Sequence, residues 1–127
     1  MQRFTELKVW QRAHELTLAV HRETRAFPSD ERYGLTAQLR RSAGAVGANI
    51  AEGSKSRYPA EYAHSLNIAE KEMAEAENHL LLARDLEYLA AGQATRLLAQ
   101  ADEVGRMLNV LRSRVEAAAR GRGDPRP

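Results

Sequence analysis

The stretch that decides the fold of this protein is residues 33–53, YGLTAQLRRSAGAVGANIAEG. Its apolar residues recur every three or four positions, which is the pattern of a helix with one buried face. Small residues fill its middle, although a glycine inside a helix costs about 1 kcal/mol relative to alanine. We therefore expect another backbone to approach this helix closely at Gly44 and Gly47, either within the bundle or across a contact between subunits. The predicted apolar stripe consists of Leu35, Leu39, Ala43, Val46 and Ile50.

The polar residues of this stretch predict contacts outside its apolar stripe. Arg40 and Arg41 lie off the apolar stripe and about 100° apart around the helix. We expect one or both of them to reach solvent, a contact with a second copy of the chain, or a phosphate. Asn49 and Glu52 border the stripe, and we expect them to bond exposed backbone groups of the Gly53–Arg57 connector or of a neighbouring helix terminus. Gly53 suits the left-handed residue that often ends a helix.

Three further segments show helical periodicity. The first ends at Phe27-Pro28, because proline disfavours helix in the residue before it. The third begins at Pro59, where a missing N–H costs nothing. The third and fourth segments carry apolar residues in alternating steps of four and three, which is a heptad pattern. The predicted core residues of these two segments are Tyr62, Leu66, Ala69, Met73, Ala76, Leu80 and Ala83, then Leu97, Ala101, Val104, Leu108, Leu111, Val115 and Ala118.

These segments predict an all-α protein. Helices at about 5–26, 30–52, 59–90 and 93–119, joined by short connections, favour an antiparallel up-down-up-down four-helix bundle over residues 1–119. Residues 120–127, RGRGDPRP, have no apolar anchor, and we expect a disordered tail there.

Composition narrows the function classes. The 127 residues include no cysteine, which excludes disulfides and thiolate metal sites. The sequence has no long apolar run and no export leader, so we expect a cytoplasmic protein without a membrane partner. The net charge is +2, but residues 1–58 carry +4, residues 59–90 carry −5 and residues 91–127 carry +3. Segments of opposite sign favour self-association as readily as binding to nucleic acid.

No residue pattern supports catalysis, a metal or a cofactor. Glu61-Tyr-Ala-His64 matches the Glu-x-x-His spacing of di-iron bundles once, but such centres need two copies. Helical geometry turns His64 away from the predicted core and toward solvent. His14 and His21 share a helix face but lack a third ligand. We therefore predict a protein that is not an enzyme.

The connector after the second helix is a candidate nucleic-acid site. Tyr58 is flanked by Lys55 and Arg57, so its ring could stack on a base while the cations hold phosphates. The alternative is a loop tyrosine that packs on the end of the bundle. Arg40 and Arg41 would add phosphate contacts without sequence preference.

Several short motifs resemble those of the 23S rRNA-intervening sequence protein family. Leu7-Lys8-Val9-Trp10-Gln11-Arg12-Ala13 resembles the opening of that family, and Gln38-Leu39-Arg40-Arg41 followed by Asn49-Ile50-Ala51-Glu52-Gly53 is the most specific part. The resemblance covers nearly all of residues 4–115. The residues that we assign to this structural signature are Trp10, Gly34, Leu35, Gln38, Gly44, Gly47, Asn49, Glu52 and Gly53.

The resemblance implies a bacterial cytosolic four-helix bundle whose relatives tend to assemble as rings of five. It also implies a kinship with the accessory protein of diversity-generating retroelements, which binds nucleic acid and a reverse transcriptase through a basic surface. Here Glu70-Lys71-Glu72 replaces a Gly-Ser pair usual in the family, which argues against a nucleic-acid surface on the third helix. We predict a self-assembling binding scaffold, a pentamer by this resemblance, with RNA or DNA binding as the alternative and a protein partner also compatible.

Overall fold

Residues 3–121, the part of the chain that the computed structural model describes, form four antiparallel helices. The helices are α1 (Lys8–Glu23), α2 (Leu35–Ser54), α3 (Pro59–Asp85) and α4 (Ala91–Gly121). Within these residues there is no strand, which confirms the predicted all-α class.

Contacts between the helices establish their order and direction. Helix α1 lies against α2 and α4, and α3 also lies against α2 and α4, so α1 and α3 are diagonal. Residues near the end of one helix lie beside residues near the start of the next, as Gly53 of α2 lies beside Ser65 of α3. The Thr17 hydroxyl of α1 donates to the carbonyl of Ala43 in α2 at 3.1 Å. The bundle is therefore up-down-up-down, as predicted.

The core follows the predicted apolar positions. All five stripe residues of α2 are buried, and the heptad residues of α3 and α4 fill the centre from Leu66 to Ala83 and from Leu97 to Leu108. Toward the end of α4 burial decreases, and Leu111 and Val115 pack against the core while remaining partly exposed. Periodicity thus identified the buried faces correctly, because the burial of a helix face repeats with the helical turn.

The second helix begins at Leu35 and not near residue 30, because Glu31 fixes its start from outside the helix. The Glu31 carboxylate accepts a hydrogen bond from the Leu35 N–H at 3.1 Å and another from the Tyr88 hydroxyl at 3.0 Å. A Cβ on Gly34 would lie 2.8 Å from Glu31 Oε1, so glycine makes room for this carboxylate. Glu31 therefore links the start of α2 to the connection after α3.

The other helix ends also differ from the predicted bounds. Short 3-10 turns at Phe4–Glu6 and Thr24–Ala26 flank α1. Helix α3 ends at Asp85, because the Tyr88 N–H turns back to the Ala83 carbonyl at 2.9 Å and Glu87 takes a left-handed φ of 63°. Arg120 and Gly121, which we assigned to the tail, belong to α4, and residues 122–127 of the predicted tail lie outside the described residues.

Within the chain, the close helix contact of α2 is not at the glycines that we expected. A Cβ on Gly44 would meet nothing within 4 Å, so no backbone approaches it closely. A Cβ on Gly47 would lie at an ordinary 3.6 Å from the Trp10 Nε1. The close approach is at Gly53, where a Cβ would lie 2.7 Å from the Ser65 Cβ. Gly53 lies inside α2, which continues to Ser54, so the prediction of a left-handed end at this residue was wrong.

Candidate functional site

A cavity at one end of the bundle brings together part of the predicted nucleic-acid site. This is the end where α2 and α4 finish and α1 and α3 begin. The cavity has a volume of about 310 Å³, and Arg57, Tyr58 and Tyr62 line it from the α2–α3 connection and the start of α3. Arg114, Val115 and Ala118 line it from α4. We refer to it below as the tyrosine cavity.

The tyrosines of this cavity are held in place by the start of α3. Tyr58 has an extended backbone (φ −117°, ψ 139°), as expected before proline. Its carbonyl accepts hydrogen bonds from the N–H groups of Glu61 at 3.1 Å and Tyr62 at 3.2 Å. Burial raises the pKa of Tyr62 above its ordinary value of 10.0, so its phenol stays protonated at neutral pH. The cavity therefore has two tyrosine rings on a fixed helix terminus.

The cations around this cavity are not neutralised by neighbouring side chains. Within residues 3–121, Arg57 and Arg114 form no ion pair, and no carboxylate is among the described residues that line the cavity. Lys55, the other predicted cation of the connector, is not among the residues that line this cavity. Guanidinium groups bind phosphate with two parallel hydrogen bonds, and phenol rings offer faces for stacking. The arrangement has the chemistry to hold a phosphate together with a base.

Arg40 lies far from this cavity and is used inside the bundle. Its Nε donates to the Thr24 hydroxyl at 2.8 Å, and its terminal NH2 group donates to the His21 carbonyl at 3.4 Å. His21 lies in the last turn of α1, whose carbonyl oxygens favour a cation, and Thr24 directly follows that helix. Arg40 therefore ties the end of α1 to α2, and its contact with a phosphate or a second copy stays a prediction.

Arg41 also makes its contacts within the chain. Its guanidinium binds the Glu72 carboxylate of α3 through two hydrogen bonds, of 3.1 and 3.3 Å, and it also binds Glu75. The acidic residues that distinguish α3 in sequence therefore neutralise Arg41. The structure groups Arg57 and Tyr58 with Arg114, and it places Arg40 and Arg41 elsewhere.

We expect the two adjacent arginines to differ in their effect on stability. Arg40→Ala should lower the free energy of unfolding by about 1–2 kcal/mol, because it removes charge-assisted hydrogen bonds to a partly buried helix end. Arg41→Ala is the matched control and should cost less than about 1 kcal/mol, because its ion pairs are exposed to water. Urea unfolding monitored by circular dichroism measures both, and equal losses would contradict the role assigned to Arg40.

The other signature residues have mainly structural contacts. Asn49 donates from Nδ2 to the Ala45 carbonyl one turn earlier at 2.8 Å, so it does not bond the connector as we predicted. The Glu52 side chain is exposed, and its main-chain carbonyl accepts the Lys55 N–H at 3.2 Å. The Trp10 ring stacks on His14 with ring centroids 4.7 Å apart. Leu35 is buried, and Gln38 is exposed.

Sequence reasoning missed an apolar groove between α1 and α4. The groove has a volume of about 350 Å³, and Lys8 and Arg114 stand among its lining residues. Val110 in its floor is 49 % exposed. The signal in the sequence was Val110 itself, an apolar residue outside the heptad positions of α4. The apolar residues of this α1–α4 groove are Leu7, Val9, Met107, Val110 and Leu111.

The sequence candidates for a metal site remain apart. His64 is exposed, as predicted, and it lines a shallow surface depression with Asn67 and Glu116. Among residues 3–121 no three His, Asp or Glu side chains are grouped in a way that could hold a metal ion. In the same part of the chain, no helix has the length and apolar character needed to cross a membrane.

Comparison with known proteins places the chain in a family. The sequence model described as 23S rRNA-intervening sequence protein matches residues 5–110. The chain belongs to this family. No curated protein sequence matches the chain.

A solved structure agrees with this membership. The chain is similar to a protein of unknown function from the S23 ribosomal protein family of Bacteroides thetaiotaomicron, with 26 % identity and a TM-score of 0.74. The similarity covers 81 % of this chain and 96 % of the other. The resemblance to the 23S rRNA-intervening sequence protein family is thereby confirmed.

The tyrosine cavity straddles the limit of the family match. Arg57, Tyr58 and Tyr62 lie within the matched residues, whereas Arg114 lies beyond residue 110. In this 23S rRNA-intervening sequence protein, the last turns of α4 therefore supply a cation that the matched region does not contain.

Proposed function

We propose that this protein is a cytoplasmic, non-enzymatic four-helix bundle that assembles with copies of itself and serves as a binding scaffold. The observation that carries the proposal is the α1–α4 groove, in which an apolar floor is left open and Val110 is 49 % exposed. Contiguous exposed apolar surface rimmed by polar residues is typical of sites of protein association.

A second apolar surface supports assembly. Leu82 and Leu86 lie near the end of α3, outside its core positions, and both are exposed. The resemblance described above implies a ring of five subunits, so we propose a pentamer. The absence of cysteine is compatible with a reducing cytoplasm.

Light scattering coupled to size-exclusion chromatography tests self-assembly. We expect one species of about five times the 14.2 kDa mass of the chain at micromolar concentration. A species with the mass of a single chain at high micromolar concentration would contradict the proposal.

The tyrosine cavity favours a second candidate function, the binding of single-stranded RNA or DNA. Repetition of Arg57 and Arg114 around an oligomer would give a positive surface that one subunit of net charge +2 lacks. Arg40 and Arg41 were also predicted to contact phosphate, but their contacts within the chain make them weaker candidates than Arg57 and Arg114.

We expect Arg57→Ala/Arg114→Ala to weaken binding of single-stranded RNA by about tenfold or more. The salt dependence should also fall, by roughly 0.7 in the slope of log K against log salt for each phosphate that the variant no longer binds. Fluorescence anisotropy between 50 and 200 mM salt measures both quantities. The matched control is Arg22→Ala/Arg96→Ala, which removes two exposed arginines at the opposite end of the bundle. Equal weakening by both pairs, or no binding by the wild type, would refute this function.

A further inference from the structure

We propose that the end of α3 in one copy docks into the α1–α4 groove of a second copy, head to tail. The docking element, which we name the α3 corner, consists of Leu82, Leu86 and Glu87. The proposal rests on the self-assembly proposed above and assigns the two surfaces that meet. It is argued from exposure, backbone conformation and charge.

The α3 corner presents an apolar ridge to solvent. Leu82 is 46 % exposed and Leu86 is 45 % exposed. They are four residues apart, so their side chains are neighbours on one face at the end of the helix. The core positions of this part of α3 are Leu80 and Ala83, so the ridge contributes nothing to the centre of the bundle.

Glu87 adds a negative charge beside this ridge. Its side chain is exposed and forms no ion pair within the described residues. Its φ of 63° is the left-handed conformation that ends α3 and that glycine or asparagine adopts with less strain.

The α1–α4 groove has the complementary character. Its floor is apolar, and Lys8 and Arg114 stand among its lining residues without an ion pair in the described part of the chain. A third cation there, Arg106, is already bound to Asp102 and is neutralised. Two leucines can fill the floor while Glu87 meets Lys8 or Arg114, so both the apolar and the charged parts of the corner find partners.

The two surfaces lie at opposite ends of the molecule. The groove is formed where α1 begins, and the corner is formed where α3 ends. Each copy therefore offers one groove and one corner, and the contact between copies joins two different surfaces. Such a heterologous contact produces a closed ring when the rotation between neighbours divides a full turn.

Two variants that each block one surface test this pairing. Val110→Glu places a charge in the groove and leaves the corner intact, whereas Leu82→Glu blocks the corner and leaves the groove intact. We expect each variant alone to have the mass of one chain by light scattering. An equimolar mixture should give a species of two chains, because the intact corner of the first variant can enter the intact groove of the second.

Leu18→Glu is the matched control, because Leu18 is a similarly exposed leucine on α1 and belongs to neither surface. It should keep the wild-type mass. Circular dichroism verifies that all three variants retain the helical fold. Exchanging the two charges gives a second measurement. Lys8→Glu alone or Glu87→Lys alone should weaken assembly by about tenfold. The double variant should recover most of the lost affinity, because the opposite charges face each other again.

The outcomes separate this assignment from self-assembly itself. If the wild type has the mass of one chain, both proposals fail. If the wild type assembles and Val110→Glu and Leu82→Glu keep its mass, self-assembly stands and the assignment of surfaces is wrong. If the variants dissociate but their mixture gives no two-chain species, or if Leu18→Glu dissociates as well, the head-to-tail pairing is overturned.

Discussion

Leu80→Ala is expected to lower the free energy of unfolding by about 2–5 kcal/mol, because it leaves a cavity at the centre of the bundle. Leu80 is completely buried between α3 and its neighbours. It is the first of three consecutive leucines, Leu80-Leu81-Leu82, and the only one of the three that is buried. Urea denaturation followed by circular dichroism at low micromolar concentration measures the loss.

Leu81→Ala is the matched control for this prediction. Leu81 is 38 % exposed, it is adjacent in sequence, and leucine and alanine have similar helix propensities. We therefore expect a loss below about 1 kcal/mol, since little apolar surface is removed from the core. Comparable losses at the two positions would mean that the face of α3 that packs into the bundle is assigned wrongly.

Gly53→Ala is expected to destabilise the protein by about 1–3 kcal/mol, although alanine normally stabilises a helix. The new Cβ would lie 2.7 Å from the Ser65 Cβ and 2.9 Å from the Tyr62 Cδ1. Helices α2 and α3 would therefore have to move apart at Gly53. Of the three glycines in α2, this is the one with the tightest contact. The shift would also move Tyr62, which lines the tyrosine cavity.

Gly44→Ala tests the same substitution in the same helix without the collision. A Cβ at Gly44 meets nothing within 4 Å, so only the helix propensity changes. We expect a gain of roughly 0.5–1 kcal/mol in the free energy of unfolding. Opposite signs for Gly53→Ala and Gly44→Ala are the expected result, measured by the same urea titration. A gain at both positions would refute the close contact between α2 and α3.

The two proposed functions share Arg114. This residue lines both the tyrosine cavity and the α1–α4 groove. If Glu87 of a second copy engages Arg114, that guanidinium can no longer bind a phosphate. Lys8 lines the groove but not the cavity, so it is the better position for testing assembly. Arg57 lines the cavity but not the groove, so it is the better position for testing nucleic-acid binding.

The sequence by itself determined the helical class and most of the core. Burial of one helix face repeats every three or four residues, so local periodicity suffices to identify Leu39, Ile50 and Leu80 as buried. The family resemblance could also be recognised from the sequence, because it rests on residue types at fixed spacings. Two of the residues that line the tyrosine cavity, Arg57 and Tyr58, were already candidates in the sequence.

Only the tertiary structure decided which residues meet between helices. Arg40 binds Thr24, Glu31 binds Tyr88, and Arg57 shares a cavity with Arg114. The tertiary structure also decided which glycine of α2 lies at a close contact with α3, namely Gly53 and not Gly44. These contacts depend on the rotation and offset of one helix against another, which short-range periodicity does not specify. The α1–α4 groove and the α3 corner arise for the same reason, since each is the surface that remains after the four helices have packed.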